Sequence, residues 1–178
     1  PFKHMLPGGQ YATVPESSGA VDPPGSTIRV ESGITAFHYG HVEVYLCELS
    51  SPEFSSNPDV TQECLDRHPL MYADSTDVDY PTRGYLGAQQ RVYEMHFVLP
   101  ANVTCEHCVL QWKYTAANSC IPNDGYPEDS AGSMTMARCG TFPNYPETFW
   151  NCADIKIGNF SDSDSAGPSP TPTPTPTP

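Results

Sequence analysis

The chain has 178 residues, enough for one domain with its own hydrophobic core. Its 21 acidic residues outnumber 8 lysines and arginines, which gives a net charge of −13 at pH 7. This charge excludes a nucleic-acid-binding protein, since phosphate contacts need a basic face, and no apolar stretch approaches the roughly 20 residues of a membrane span.

The body of the chain predicts β-strands. Runs rich in β-branched and aromatic residues lie at Thr27–Glu31, His41–Leu49, Arg91–Leu99, Cys108–Thr115 and Cys152–Ile157. In the second run, Val42, Val44 and Leu46 alternate with polar residues and therefore share one face. A helix of one or two turns is predicted only at Val60–Arg67. Short strands joined by proline-rich loops favour an all-β antiparallel sandwich.

The end of the chain has a different composition. Residues 161–178 begin with serine and aspartate and end in a strict Pro–Thr alternation, a composition that cannot form a core. We therefore expect a folded domain over residues 1–160 and a low-complexity linker over residues 161–178. The linker is either a stalk, possessing threonines suited to O-glycosylation, or a plain unstructured terminus.

Seven cysteines in an acidic, lysine-poor chain indicate disulfides and secretion, with one cysteine left over. The rival interpretation is a zinc site at Cys105–Cys108, which lacks a second ligand pair of similar spacing. Asn102 and Asn159 stand in N-glycosylation motifs. Because the chain starts at Pro1 with no signal peptide, we expect that residues were removed upstream.

The sequence lacks the usual hydrolase motifs, namely Gly-x-Ser-x-Gly, His-Glu-x-x-His and a glycine-rich phosphate loop. A glycosidase carboxylate pair stays open, because acidic residues are too abundant to single out two. Among the histidines, we expect His41 to face solvent, His96 to be half-buried and His107 to lie at the surface.

Four segments resemble the lytic polysaccharide monooxygenases and together span residues 33–157. They are Gly33–Cys47, Leu99–Cys105, Cys108–Ser119 and Glu147–Ile155. The Pro–Thr tail and the acidic loops look most like the pectin-active group of filamentous plant pathogens, auxiliary activity family seventeen. The chitin-active and cellulose-active families are the next most similar.

The resemblance implies an immunoglobulin- or fibronectin-like sandwich whose flat face holds one copper ion in a histidine brace. In that arrangement His38 is the second copper ligand and Ala36 is the small residue beside one axial position. Phe149 is the axial aromatic residue, and Glu147 orients a bound oxygen species. Trp112 supports the site from the core. The brace also needs an N-terminal histidine, and the proline at residue 1 is the reason we expect truncation.

The function implied is that of a secreted, monomeric copper enzyme that cleaves a plant cell-wall polysaccharide, with pectic homogalacturonan as first choice. An external reductant and O2 or H2O2 are the implied co-reactants. The alternatives are a chitin- or cellulose-active monooxygenase and a non-catalytic carbohydrate-binding module on the same fold. A net charge of −13 fits poorly with a polyanionic substrate unless the binding face is locally neutral or basic, or calcium bridges the two.

Overall fold

The computed structural model describes residues 21–49, 60–87, 91–140 and 144–158. Within these ranges the chain forms nine strands, one short α-helix and a 3-10 helix at Glu128–Ser130. The strands are β1 Val21–Asp22, β2 Thr27–Gly33, β3 His41–Glu48, β4 His68–Pro69, β5 Met71–Tyr72, β6 Gly84–Tyr85, β7 Val92–Val98, β8 Cys105–Thr115 and β9 Thr148–Ile157, and the helix is α1 Gln62–Leu65.

The strands form two sheets. The larger has the order β1-β9-β8-β3-β4, with β6 also paired to β3, and the smaller has the order β2-β7-β5. The strand pairs are antiparallel except for β1 and β9, which run parallel. The predicted all-β sandwich is therefore confirmed. β8 and β9 start three and four residues earlier than the sequence pattern predicts.

Alternation along β3 builds the core between the sheets. Val42, Val44 and Leu46 belong to one buried cluster with Met95 and Phe97 of β7. Complete burial of each such side chain stabilises the fold by roughly 1.5–3 kcal/mol. The face predicted from the Val42–Leu46 alternation is therefore the core face.

The opposite face of the larger sheet is covered at one end by α1. Thr61 caps this helix, since its Oγ1 accepts from the Cys64 backbone N–H at 3.2 Å. A disulfide from Cys64 to Cys47 ties α1 to β3. The helix predicted at Val60–Arg67 is thus present, and only its central four residues are helical.

All seven cysteines lie within the described ranges, and six of them pair. The bonds are Cys47–Cys64, Cys105–Cys108 and Cys120–Cys139. The prediction of disulfides is confirmed, and the zinc alternative is wrong because its two cysteines bond to each other across a bulge in β8. The unpaired Cys152 is half-buried, and burial raises the pKa of its thiol.

Asn102 is exposed in the turn between β7 and β8, as an accessible glycosylation motif requires. The predicted linker over residues 161–178 and the motif at Asn159 lie outside the described residues. In the part of the chain that the structure describes, no helix is long and apolar enough to span a membrane.

Candidate functional site

His38 lies in the connection from β2 to β3, where the backbone turns sharply. Tyr39 has a φ of 56° and Gly40 a φ of 102°, both in the left-handed region that favours glycine. A Cβ on Gly40 would lie 2.0 Å from the carbonyl oxygen of Thr115, so only glycine fits there. The Gly40 N–H donates to the Ser130 carbonyl at 2.8 Å, which fixes the turn.

Backbone hydrogen bonds hold His38 on both sides. Its carbonyl accepts from the Ala117 N–H at 3.0 Å, and its own N–H donates to the Tyr114 hydroxyl at 3.2 Å. The side chain is half-buried. The position of His38 is thus set by the segment that follows β8 and by Tyr114.

Tyr114 joins His38 to Phe149. Its hydroxyl donates to the Tyr39 carbonyl at 2.6 Å while accepting from His38. Its ring stacks on the Phe149 ring, with centroids 5.6 Å apart, because the two residues are direct partners across β8 and β9. Burial raises the pKa of Tyr114, so the hydroxyl keeps the proton that it donates.

The other two predicted site residues lie nearby with fewer contacts. The Glu147 carbonyl accepts from the Ala116 N–H at 2.9 Å, and its exposed carboxylate is near enough to contribute to the raised pKa of Tyr114. Ala36 is exposed two residues before His38, and its place in the site stays a prediction. The structure therefore groups His38, Phe149 and Glu147 around Tyr114.

The imidazole of His38 has one nitrogen engaged. Its Nδ1 lies 3.0 Å from Nδ2 of Asn118, an exposed residue just after β8. Nε2 is the nitrogen left to face a metal, and imidazole nitrogen suits copper. In the ranges that the structure covers, no three His, Cys, Asp or Glu side chains converge to hold a metal ion. These residues therefore fit copper as one arm of a brace, with the other ligands supplied from elsewhere.

Trp112 lies next to Tyr114 on the inner face of β8, with ring centroids 6.0 Å apart. Its indole N–H donates to the Ser32 hydroxyl at 2.8 Å, a bond between the two sheets. This position is compatible with the expected support from the core.

His41 departs from its prediction, since it is 2% exposed and does not face solvent. Its Nδ1 is 2.7 Å from the Tyr126 hydroxyl, and its ring also lies against Tyr85 of β6. The prediction was wrong because β6 and the loop that carries Tyr126 cover this end of the outer face. His96 is 40% exposed, close to expectation, whereas His107 is only 19% exposed and contacts Asp154 at 2.8 Å.

A charged cluster lies beside His41 on the outer face of the larger sheet. The Glu43 carboxylate is 3.9 Å from both Arg83 Nε and Lys113 Nζ and 3.6 Å from His41 Nε2. Burial alone would raise the pKa of Glu43, but the hydrogen bond and charge of His41 and the two cations outweigh it and hold the pKa at about 2. Burial lowers the pKa of His41, so this imidazole is neutral near pH 7 and adds its charge beside Glu43 only at lower pH.

Sequence reasoning did not single out Tyr114, Asn118 or Glu43. The strand alternation that places Trp112 on the inner face also places Tyr114 there, so this signal was present. Asn118 carries no such signal. It is simply the first polar residue after β8, and it follows two buried alanines.

Replacing Tyr114 by phenylalanine keeps the ring stack and removes both hydrogen bonds of the hydroxyl. The Tyr39 carbonyl and the His38 N–H lose their partner, so we expect a loss of about 1–3 kcal/mol in the free energy of unfolding. Urea titration measures this loss. Tyr145→Phe is the control, since Tyr145 is 56% exposed and a change below about 0.5 kcal/mol is expected. Equal stability of the Tyr114→Phe variant and the parent would contradict this account of the hydroxyl.

Similar proteins are known both in sequence and in structure. Residues 10–155 match the family described as "Lytic polysaccharide mono-oxygenase, cellulose-degrading". The structure is similar to that of an AA15 lytic polysaccharide monooxygenase from Thermobia domestica in the Cu(I) state. The two chains are 30% identical, with a TM-score of 0.55, over 85% of this chain and 67% of that one. A comparison with curated proteins gives no match.

Proposed function

Because the chain belongs to the lytic polysaccharide monooxygenase family, we propose that it performs the family's copper-dependent oxidative cleavage of polysaccharides at the site around His38. The observation that supports this location is the grouping of His38 and Phe149, from two distant segments, on the two sides of Tyr114. A histidine at a sheet edge without a functional role would not be expected to contact the same tyrosine as an exposed aromatic ring from a distant segment.

Each residue has a defined task in this proposal. His38 contributes Nε2 as a ligand, and Tyr114 fixes the backbone of that ligand from the core side. Phe149 is 43% exposed and presents an apolar ring where a polar side chain would compete for the metal. Glu147 has the one charged side chain on the segment just before β9 and faces solvent beside Tyr114. Its proposed task is to orient the oxygen co-substrate. Copper, when bound, supplies the one-electron chemistry that activates O2 or H2O2.

The substrate that we propose first is pectic homogalacturonan. The functional class that we propose is the pectin-active group, auxiliary activity family seventeen. The support for this substrate is that the acidic loops and the Pro–Thr tail resemble those of the pectin-active group. Neutral cellulose or chitin is the second candidate, because the matching family is described as cellulose-degrading and the net charge of −13 repels a polyanion.

We also propose that the protein acts outside the cell. Three disulfides fit the oxidising space outside the cell, where members of this family typically act. We propose a secreted monomer with a catalytic domain over residues 1–160 and a linker over residues 161–178, N-glycosylated at the exposed Asn102.

Product analysis tests the reaction and the substrate together. The protein is prepared in an upstream-extended form whose first residue is histidine, loaded with copper and given ascorbate and H2O2. The substrates are homogalacturonan, the same polymer with methyl-esterified carboxyls, cellulose and chitin, and the products are analysed by mass spectrometry. Oxidised oligosaccharides from homogalacturonan are the expected result.

The other outcomes have separate meanings. Oxidised products only from cellulose or chitin would overturn the pectin assignment and keep the reaction. Cleavage of the esterified polymer alone would keep the pectin assignment and would identify charge repulsion as the barrier to cleavage of the free acid. Binding without products would indicate a carbohydrate-binding module, and products lacking oxidation would indicate a glycosidase.

A further inference from the structure

The side-chain amide of Asn118 lies against the one nitrogen of His38 that does not face the proposed metal position. Its Nδ2 is 3.0 Å from Nδ1 of the imidazole. The backbone around Asn118 is tied on both sides, since Ala117 bonds to His38 and to Gly132 and Cys120 is joined to Cys139. The contact is therefore held in place even though Asn118 itself is exposed.

The chemistry of this contact depends on the ring proton. A neutral imidazole has one N–H donor and one acceptor nitrogen, and an asparagine amide has a donor group and an acceptor oxygen. With Nδ2 facing Nδ1, the ring accepts at Nδ1 and carries its proton on Nε2. A metal on Nε2 requires the opposite tautomer, with the proton on Nδ1 and an acceptor beside it.

Asparagine can satisfy both tautomers from the same position. A half-turn about the Cβ–Cγ bond exchanges Nδ2 and Oδ1. We infer that Asn118 is a positioning residue whose amide turns as His38 takes up metal, donating to Nδ1 in the metal-free protein and accepting from it when Nε2 is a ligand. The identity of the metal rests on the proposed function, whereas the tautomer of the metal-free ring does not.

Two substitutions separate the donor from the acceptor. Asn118→Asp offers only acceptor oxygens at the same reach, so it favours the Nδ1–H tautomer without metal. Asn118→Leu has a similar size and offers neither group. Ser119→Ala is the matched control, because the Ser119 hydroxyl donates to the Tyr145 carbonyl and not to His38.

The first measurement is the tautomer of His38 in the metal-free chain, read from the nitrogen-15 shifts of the ring at pH 8. We expect the Nε2–H form in the parent and in the Ser119→Ala variant, and the Nδ1–H form in the Asn118→Asp variant. An unchanged tautomer in Asn118→Asp would overturn the inference, as would an Nδ1–H form in the parent.

The second measurement is the copper dissociation constant of the upstream-extended protein, obtained by calorimetry. We expect about tenfold weaker binding in Asn118→Leu and recovery to at least the parent value in Asn118→Asp. A role in loop structure alone would not give this recovery. Equal affinities for the parent and Asn118→Leu would overturn the inference while leaving the proposed function intact. Failure of the extended parent to bind copper, with the tautomer results as expected, would overturn the proposed function alone.

Discussion

Replacing His38 by alanine in the upstream-extended protein is expected to weaken copper binding by more than about 100-fold and to abolish polysaccharide oxidation. The reason is the ligand supply. In the ranges that the structure describes, no group of three His, Cys, Asp or Glu side chains that could hold a metal ion includes His38. The brace implied by the resemblance has three nitrogens, and the imidazole of His38 supplies one of them. One imidazole without a chelating partner holds Cu(II) weakly.

Calorimetry on three proteins measures this effect: the chain as printed, the upstream-extended chain, and the extended chain with His38→Ala. We expect weak binding by the printed chain, tight binding by the extended chain, and weakened binding by its His38→Ala variant, in which the amine and one ring nitrogen of the N-terminal histidine remain. His96→Ala in the extended chain is the control, because His96 lies on the smaller sheet between Asp74 and Glu94. Equal binding by the extended chain and its His38→Ala variant would remove His38 from the site, and tight binding by the printed chain would place the ligands elsewhere.

Replacing Glu43 by glutamine is expected to cost about 3–5 kcal/mol in the free energy of unfolding. The carboxylate is 13% exposed, and its removal leaves the half-buried cations Arg83 and Lys113 without their counter-charge. Glu31→Gln is the matched control. Glu31 makes a shorter ion pair, 2.8 Å to Arg29, but both side chains are 55% exposed, so a loss of no more than about 1 kcal/mol is expected. Similar losses for the two variants would show that burial of the Glu43 cluster does not matter.

The same cluster sets the expected dependence of stability on pH. The pKa of Glu43 is about 2 in the folded chain against an ordinary value of 4.5, so its contribution to stability is complete above pH 4.5 and is lost as the pH falls through about 2. The shift corresponds to about 3 kcal/mol. His41 acts in the same direction at higher pH. Because burial lowers its pKa from 6.5, stability begins to fall below pH 6.5 as the unfolded chain takes up the proton first.

Urea unfolding at a series of pH values measures both effects. The parent is expected to lose stability continuously from pH 6.5 downward, and Glu43→Gln is expected to have a flatter curve below pH 4.5. Parallel curves for the two proteins in that lower range would contradict the assigned direction of the Glu43 pKa.

Much of the fold follows from local sequence pattern. The alternation of Val42, Val44 and Leu46 with polar residues determines both that β3 is a strand and which of its faces enters the core. The pattern does not say what covers the other face. His41 lies on that face and is buried because a distant loop brings Tyr126 over it, and no property of residues 41–48 encodes this cover.

The candidate site shows the same limit at closer range. His38 and Phe149 could be proposed from the resemblance, but Tyr114 as their shared contact depends on the register of β8 against β9. With β8 held by β3, a one-residue slip in that register would put Phe149 on the opposite face from Tyr114. Cysteine pairing is similar, because the spacing of Cys105 and Cys108 also suits a metal site and only the bulge in β8 brings the two sulfurs together.

The Cys120–Cys139 bond bears on the choice of electron donor in any assay of this protein. It closes a loop across 19 positions and anchors the segment that contacts His38, so opening it would lower the free energy of unfolding by about 3 kcal/mol and release that segment. Dithiothreitol and free cysteine deliver electrons but also attack disulfides by exchange. Rates recorded with such donors would therefore combine turnover with progressive loss of the enzyme, whereas ascorbate, which has no sulfur nucleophile, would report turnover alone.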